Sequence, residues 1–205
     1  KKLNCKLIKV KTDNFNKTQI ELKNKYFMTE TNKENLSFVF SIAEKLRLNK
    51  NLMLKTILKF KGLKYRQQII YKKPNFLIIN DSKSTSFSSS MGILKAYPNI
   101  FWLLGGVYKK GDKFDLPKKY HHKIRAFIFG KKRNFFKAQL KGKIKYENFE
   151  TLEKAFKKIL SISKRQKLLD KTILFSPSAA SFDNFKNFEE RGFYFNKLVK
   201  KYLNA

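Results

Sequence analysis

Three polar clusters in the 205-residue sequence could hold anions, and each directly follows an apolar run. "NFLIIND" (75–81) leads into "SKSTSFSSS", which places Asp81, Lys83 and Thr85 together. "NIFWLLGG" (99–106) leads into "VYKKGDKFDL", with Lys109 and Lys110. "TILFSP" (172–177) leads into "SAASFDNFKNFEERG", with Ser176, Ser178 and Ser181. Hydroxyls, ammonium groups and the free N–H groups of a helix start are the donors that carboxylates and phosphates require. Any one of these Ser, Thr or Asp residues could simply cap a helix. Three such clusters, each at the end of an apolar run, argue for one shared rim.

Other chemistry is missing. No G-x-x-x-x-G-K-[ST] phosphate loop occurs, so phosphoryl transfer would need a cradle from elsewhere. No acidic pair stands out as a Mg²⁺ site. A single cysteine, Cys5, excludes an intramolecular disulfide, and no metal-type Cys/His cluster exists. His121 and His122 are adjacent and read as a surface loop pair.

The elements that must position the clusters follow from periodicity. Runs that are apolar at consecutive positions predict strands buried on both faces, as in parallel sheets. They fall at 75–81, 99–106, 124–130 and 172–177. Between and after them, Leu152, Ala155, Phe156, Ile159 and Leu160 repeat with helical spacing, as do Phe195, Leu198, Val199, Tyr202 and Leu203. Alternating strand and helix predicts an α/β, Rossmann-like, mostly parallel sheet over residues 64–205. In such sheets ligands bind outside the carboxyl ends of the strands, where the three clusters lie. The preceding residues read differently. Short alternating stretches around Val10 and Ile20 predict edge strands. "TNKENLSFVFSIAEKLRLN" predicts a helix with Leu36, Phe40, Ala43 and Leu46–Leu48 on one side and Asn32 or Asn35 near its start. A second helix is expected over 51–60, stopped near Gly62.

Lys and Arg number 47 against 15 Asp and Glu, a net charge of +32. Only six of the 47 are Arg, and the lysines are spread along the whole chain. Specific nucleic-acid readout favours clustered Arg. The charge therefore reads as a compositional bias on exposed positions, and no specific nucleic-acid partner is expected. No run approaches the length of a membrane span and no secretory leader is visible, so the expected location is the cytoplasm.

"NDSKST", "LLGG" and above all "SPSAASFDNFKNFEERG" closely resemble the Mur ligases, and within them the D-glutamate-adding branch. That branch carries N-D-S-K-A-T and S-P-A-C-A-S-x-D-x-F-K-N-F-x-x-R-G; Ser178-Ala179 stands where Ala-Cys is usual. "TNKENLSFVFSIAEKL" is similar to the family's H-N-x-x-N segment, with Asn32 and Asn35 in the matching positions. "FKGLKYR" resembles the joint between the central ATPase domain and the C-terminal domain. Thr31 and Tyr65 replace histidines, and Val107 replaces an acid found in many members.

The resemblance implies an ATP- and Mg²⁺-dependent ligase of peptidoglycan synthesis. Such an enzyme joins D-glutamate to UDP-N-acetylmuramoyl-L-alanine through an acyl phosphate. Residues 1–63 would be a remnant of the central ATP-binding domain and 64–205 the D-glutamate-binding C-terminal domain. Carried over by position, Thr85 and Lys109 hold the α-carboxylate of D-glutamate, with Lys110 the near alternative. Ser181 and the backbone at Phe188 hold its side-chain carboxylate, with Phe182 beside it. Asn32 and Asn35 face adenine, while Arg66, Asp81 and Lys83 lie near ribose and phosphates. Phe182, Phe185 and Phe188 would anchor the last loop to the sheet. No metal ligand is carried over, and no catalytic residue is assigned. A sequence that opens without Met and lacks the phosphate loop reads as one part of a longer enzyme, not active alone. It would expose apolar surface in its first sixty residues. The alternative is a stand-alone amino-acid or anion-binding module.

Overall fold

A computed structural model describes residues 9–10, 24–165 and 170–203. The chain divides into two units, 1–60 and 61–205.

The first unit holds a 3₁₀ turn, Lys25–Met28, then α1 (Glu30–Lys45) and α2 (Lys50–Lys59). Thr29 caps α1 by accepting from the Asn32 N–H, so neither Asn32 nor Asn35 is the cap. Asn49 caps α2 in the same way. The helix ends at Phe60, two residues before Gly62. Phe27, Leu36 and Ile57 form a small core. Asn24 fastens it by donating from Nδ2 to the Ile57 and Phe60 carbonyls at 2.8 and 2.9 Å. Leu46 and Leu48, expected on the packed side, are exposed, as are Phe38, Val39, Ile42 and Leu52. Val10 is in no strand, and Ile20 lies outside the described residues.

The second unit is one six-stranded sheet. Its strands are β1 (Gln68–Lys73), β2 (Phe76–Asn80), β3 (Ile100–Leu104), β4 (Ile124–Phe129), β5 (Lys145–Phe149) and β6 (Lys171–Phe175). Their order is β1-β2-β6-β3-β4-β5, parallel except for the β1–β2 hairpin. The four expected strands are present. The two unforeseen ones are the edges, whose half-exposed sequences carry no apolar run longer than three residues.

Why the central runs are apolar throughout is clear from the layers. α3 (Phe87–Ala96) and α4 (Arg133–Leu140) contribute Phe87, Ile93, Leu94, Phe136 and Leu140 to one core, with Ile79, Trp102, Leu104 and Ile128 from the sheet. α5 (Leu152–Arg165) and α6 (Phe188–Leu203) pack Phe156, Ile159, Phe195 and Leu198 against Ile78, Phe101, Leu103, Phe127 and Phe175. Successive strand residues thus enter opposite cores. His121 and His122 sit in a 3₁₀ turn, Lys118–Lys123, not a loop. His121 Nε2 lies 2.7 Å from the Leu116 carbonyl.

Candidate functional site

The loops after β2, β3 and β6 leave the sheet at its carboxyl edge, and hydrogen bonds weld them together. Asp81 N–H donates to Phe175 O at 2.7 Å, extending the β2–β6 pairing one residue into the loop after β2. Gly105 N–H donates to Pro177 O at 3.0 Å. Val107 and Ala180 exchange both backbone bonds at 2.9 Å. The exchange needs Gly106, since a Cβ there would meet Ala180 O at 2.4 Å, and its φ of 130° excludes other residues. Ser86 caps α3 with a reciprocal bond to Ser89, and Asp112 Oδ2 accepts from the Phe87 N–H at 2.8 Å. The last bond ties the loop after β3 to the loop after β2.

Beneath this rim lies a buried polar floor. Asp81 is 5% exposed. Its Oδ1 accepts from Gln67 N–H at 3.0 Å and its Oδ2 from Ser176 Oγ at 2.8 Å. Burial pushes its carboxyl up to about 7, against the hydrogen bonds from Ser176 and Gln67 and the charges of Arg66 and Arg191. Arg191, 1% exposed, donates from Nε to Ser82 Oγ at 3.1 Å and from Nη2 to Ser82 O at 2.7 Å. Ser82 Oγ in turn donates to Phe188 O at 2.8 Å. Asn80 Nδ2 reaches Gly192 O and Asn196 Oδ1 at 2.8 and 2.7 Å. The first turns of α6 are therefore fastened to the end of β2. Burial lowers Arg191 to about 10, opposed by Asp183 and Asp81. Burial also raises Asp183. Arg191 Nη1 and Asp183 Oδ2 are buried without hydrogen-bond partners.

The segment before β1 joins the same edge. Lys83 N–H donates to Tyr65 O at 3.0 Å, and the Tyr65 ring lies where a Cβ on Gly192 would be. Gly192 is glycine because that ring occupies its side-chain space.

No family profile matches the chain. Curated relatives do. The UDP-N-acetylmuramoylalanine–D-glutamate ligase of Rickettsia felis is 34% identical over 95% of this chain and 44% of its own length. That of Rickettsia prowazekii is 36% identical over 83% of this chain and 38% of itself. That of the Wolbachia strain from Brugia malayi is 34% identical over 83% of this chain and 34% of itself. The chain belongs to the Mur ligase family. It spans about a third to less than half of the length of these relatives. Two solved structures share its fold. The Thermotoga maritima UDP-N-acetylmuramate–alanine ligase has a TM-score of 0.56 at 15% identity, over 86% of this chain and 38% of that one. MurF from Acinetobacter baumannii has 0.56 at 19%, over 83% and 38%.

Against this Mur ligase chain the expected site residues fall into four groups. Thr85, Lys109 and Lys110 are exposed on loops that the Asp112 bond holds together. Ser181 is 3% exposed, and its carbonyl accepts from the Asn184 and Phe185 N–H groups. Phe188 opens α6, and its ring lies 3.9 Å from the Lys83 ammonium. Phe182 is 74% exposed and anchors nothing, a correction to the expected aromatic triplet. Phe185 does pack, against Tyr194 at 5.5 Å. Arg66, Asp81 and Lys83 form one patch through the Gln67–Asp81 and Lys83–Tyr65 bonds; Arg66 is exposed and Lys83 half-buried. In the first unit, Asn32 is buried with Nδ2 donating to Tyr26 O at 2.6 Å, and Asn35 is exposed.

Asn80, Ser82, Asp112, Asp183 and Arg191 had no expected role. Arg191 was visible in the "EERG" signature, but one arginine among 47 basic residues gives no sign of burial. Among the described residues no group of three or more His, Cys, Asp or Glu side chains gathers, and no helix is long and apolar enough to cross a membrane.

Proposed function

We propose that this chain is the amino-acid-binding part of an ATP-dependent ligase in peptidoglycan synthesis, which joins D-glutamate to UDP-N-acetylmuramoyl-L-alanine through an acyl phosphate. The observation that carries this reading is the joining of "NDSKST", "GGVYKK" and "SPSAASFDNFKNFEERG" into one rim by the Val107–Ala180 and Asp112–Phe87 bonds. A dicarboxylate needs two anion clamps about one side chain apart. Thr85 and Lys109 supply one, at the outer lip. Ser181 and the start of α6 supply the other.

The chain's own part is binding and orientation. Holding both carboxylates leaves the amine as the one free end of D-glutamate, and fixing an amine against an acyl carbon removes much of the entropic barrier. Arg66 and Lys83, side by side on the same edge, fit the polyphosphate of ATP, which supplies the activating phosphoryl group. The described residues offer no acidic cluster for Mg²⁺, so no step is assigned to it here. The sequence carries no phosphate-loop motif, so on this reading the phosphate cradle for ATP comes from outside this chain.

Isothermal calorimetry on the full chain tests the reading. Saturable heat is expected with millimolar D-glutamate, weaker heat with L-glutamate, and about tenfold weaker binding in Lys109→Ala. No heat with D-glutamate, or no preference between enantiomers, overturns it.

A further inference from the structure

The serines behind the rim form a continuous path. Ser176 Oγ donates to Asp81 Oδ2 at 2.8 Å. Ser176 and Ser90 hydroxyls are 2.8 Å apart, Ser90 and Ser84 2.6 Å, Ser84 and Ser89 2.9 Å, and Ser86 donates to Ser89 at 3.2 Å. Asp81, Ser176, Ser90 and Ser84 are buried, while Ser89 is exposed. Capping of α3 requires only Ser86 and Ser89. Ser84, Ser90 and Ser176 lie beneath the helix start and cap nothing.

Each hydroxyl can give one hydrogen bond and accept two. With every hydroxyl pointing toward Asp81, each donates to the next and accepts from the one before. Ser178, 2.6 Å from Ser90, then fills the second lone pair of Ser90. With the direction reversed, each buried serine donates back toward the rim, Ser89 Oγ donates to the Ser86 carbonyl at 2.7 Å, and Ser86 Oγ pairs with Ser88 Oγ at 2.9 Å. Both arrangements keep every member of the path bonded, which a proton path requires.

The outer end meets the proposed ligand site, because Ser84 and Ser86 flank Thr85. An α-carboxylate held at Thr85 puts the α-ammonium one carbon away. An ammonium has no lone pair and must lose a proton before it can attack. We propose that the path Ser86–Ser89–Ser84–Ser90–Ser176 carries that proton from the incoming amino acid to the carboxylate of Asp81, an inference that rests on the ligase reading above. One ammonium N–H bond breaks and its proton bonds to Ser86 Oγ. Each serine passes its own proton to the next oxygen, and a new O–H bond forms at Asp81 Oδ2. Nitrogen keeps the electron pair. A cation and a carboxylate become a neutral amine and a carboxylic acid, so charge balances.

The acceptor suits the task. Burial places the Asp81 carboxyl near 7, where it takes up a proton at neutral pH. The charged groups acting on it are Arg66, from the segment before β1, and Arg191, from α6. The ends of β6 and α3 contribute serine hydroxyls.

Amide NMR of the full chain, titrated from about pH 5 to 9, reads the coupling directly. The Gln67 N–H, bonded to Asp81 Oδ1, reports the charge of Asp81. The Ser84, Ser86 and Ser89 amides are expected to shift with the same midpoint. Ser90→Ala removes the shift at Ser86 and Ser89 and leaves that at Gln67. Ser89→Ala, at an exposed position that folding tolerates, removes it at Ser86. Rim amides that ignore Asp81 in the unaltered chain, or a Ser86 amide that still follows it in Ser89→Ala, overturn the path whether or not the protein ligates. In a ligating enzyme that contains this chain, Asp81→Asn and Ser90→Ala lower kcat about a hundredfold with KM for D-glutamate unchanged. Retained kcat overturns the path. No ligation by the unaltered enzyme overturns the ligase reading instead, and the amide titration then decides the path alone.

Discussion

The rim has two layers that obey different rules. The floor (Asn80, Asp81, Ser82, Ser176, Arg191) is buried, and its side chains are held by partners from distant parts of the chain. The lip (Thr85, Lys109, Phe182) is exposed. A buried polar group must be satisfied by protein, so the floor is fixed by its own hydrogen-bond requirements. An exposed group is satisfied by water and can exchange water for a ligand at low cost. On the proposed reading shape is set below and recognition above, and substitutions can separate the two.

The largest effect is expected at Arg191. Arg191→Met keeps most of the volume but strands Ser82 and leaves Asp183 without the cation that attracts it. Loss of one partner from a buried charged cluster costs about 3–5 kcal/mol, read as a lower midpoint in urea denaturation. An unchanged midpoint would show that the floor is not held by its charges. Asp81 gives a smaller, pH-dependent effect. Its folded value of about 7 lies above the ordinary 3.8. Between those values the folded chain keeps a proton that the unfolded chain has released. Its contribution is therefore full below 3.8 and is lost as pH rises to about 7. Asp81→Asn removes that loss, so its melting temperature should gain on the unaltered chain between those values and then level off. A constant difference across the range would refute the burial account. The smallest effects on stability belong to the lip: Phe182→Ala and Lys109→Ala stay within about 0.5 kcal/mol. For Lys109→Ala, weakened D-glutamate binding without loss of stability would sharpen the contrast, whereas a matching loss of stability would break it.

The two units differ in a related way. The second buries both faces of its sheet, whereas the first leaves Phe38, Val39, Ile42, Leu46 and Leu52 exposed around a cluster that, among the described residues, buries Phe27, Leu36 and Ile57. Surface of this kind promotes association.

The reach of the sequence followed the same division. Strands buried on both faces announced themselves as unbroken apolar runs, and the helices as 3.6-residue repeats. Edge strands β1 and β5 did not, because a half-exposed strand has no such run. The lip residues are named in the sequence by motif position alone. The floor was not legible, because its partners are 95–116 residues apart in sequence and burial is a property of the folded chain. Phe182 was misjudged for the same reason: its aromatic type predicted packing, yet the turn after Ser181 points it outward.

By itself the sequence determined the parallel α/β layering, the three loops at one edge and the family. Periodicity and motif are local properties, written in consecutive residues. Only the tertiary structure decided that Arg191 is a buried clamp, that Gly106 and Gly192 are fixed by what lies against them, and that five serines line a path from the surface to Asp81. Those facts depend on which atoms from remote segments share a volume closed to water, and there an unpaired donor or charge is too costly to leave alone.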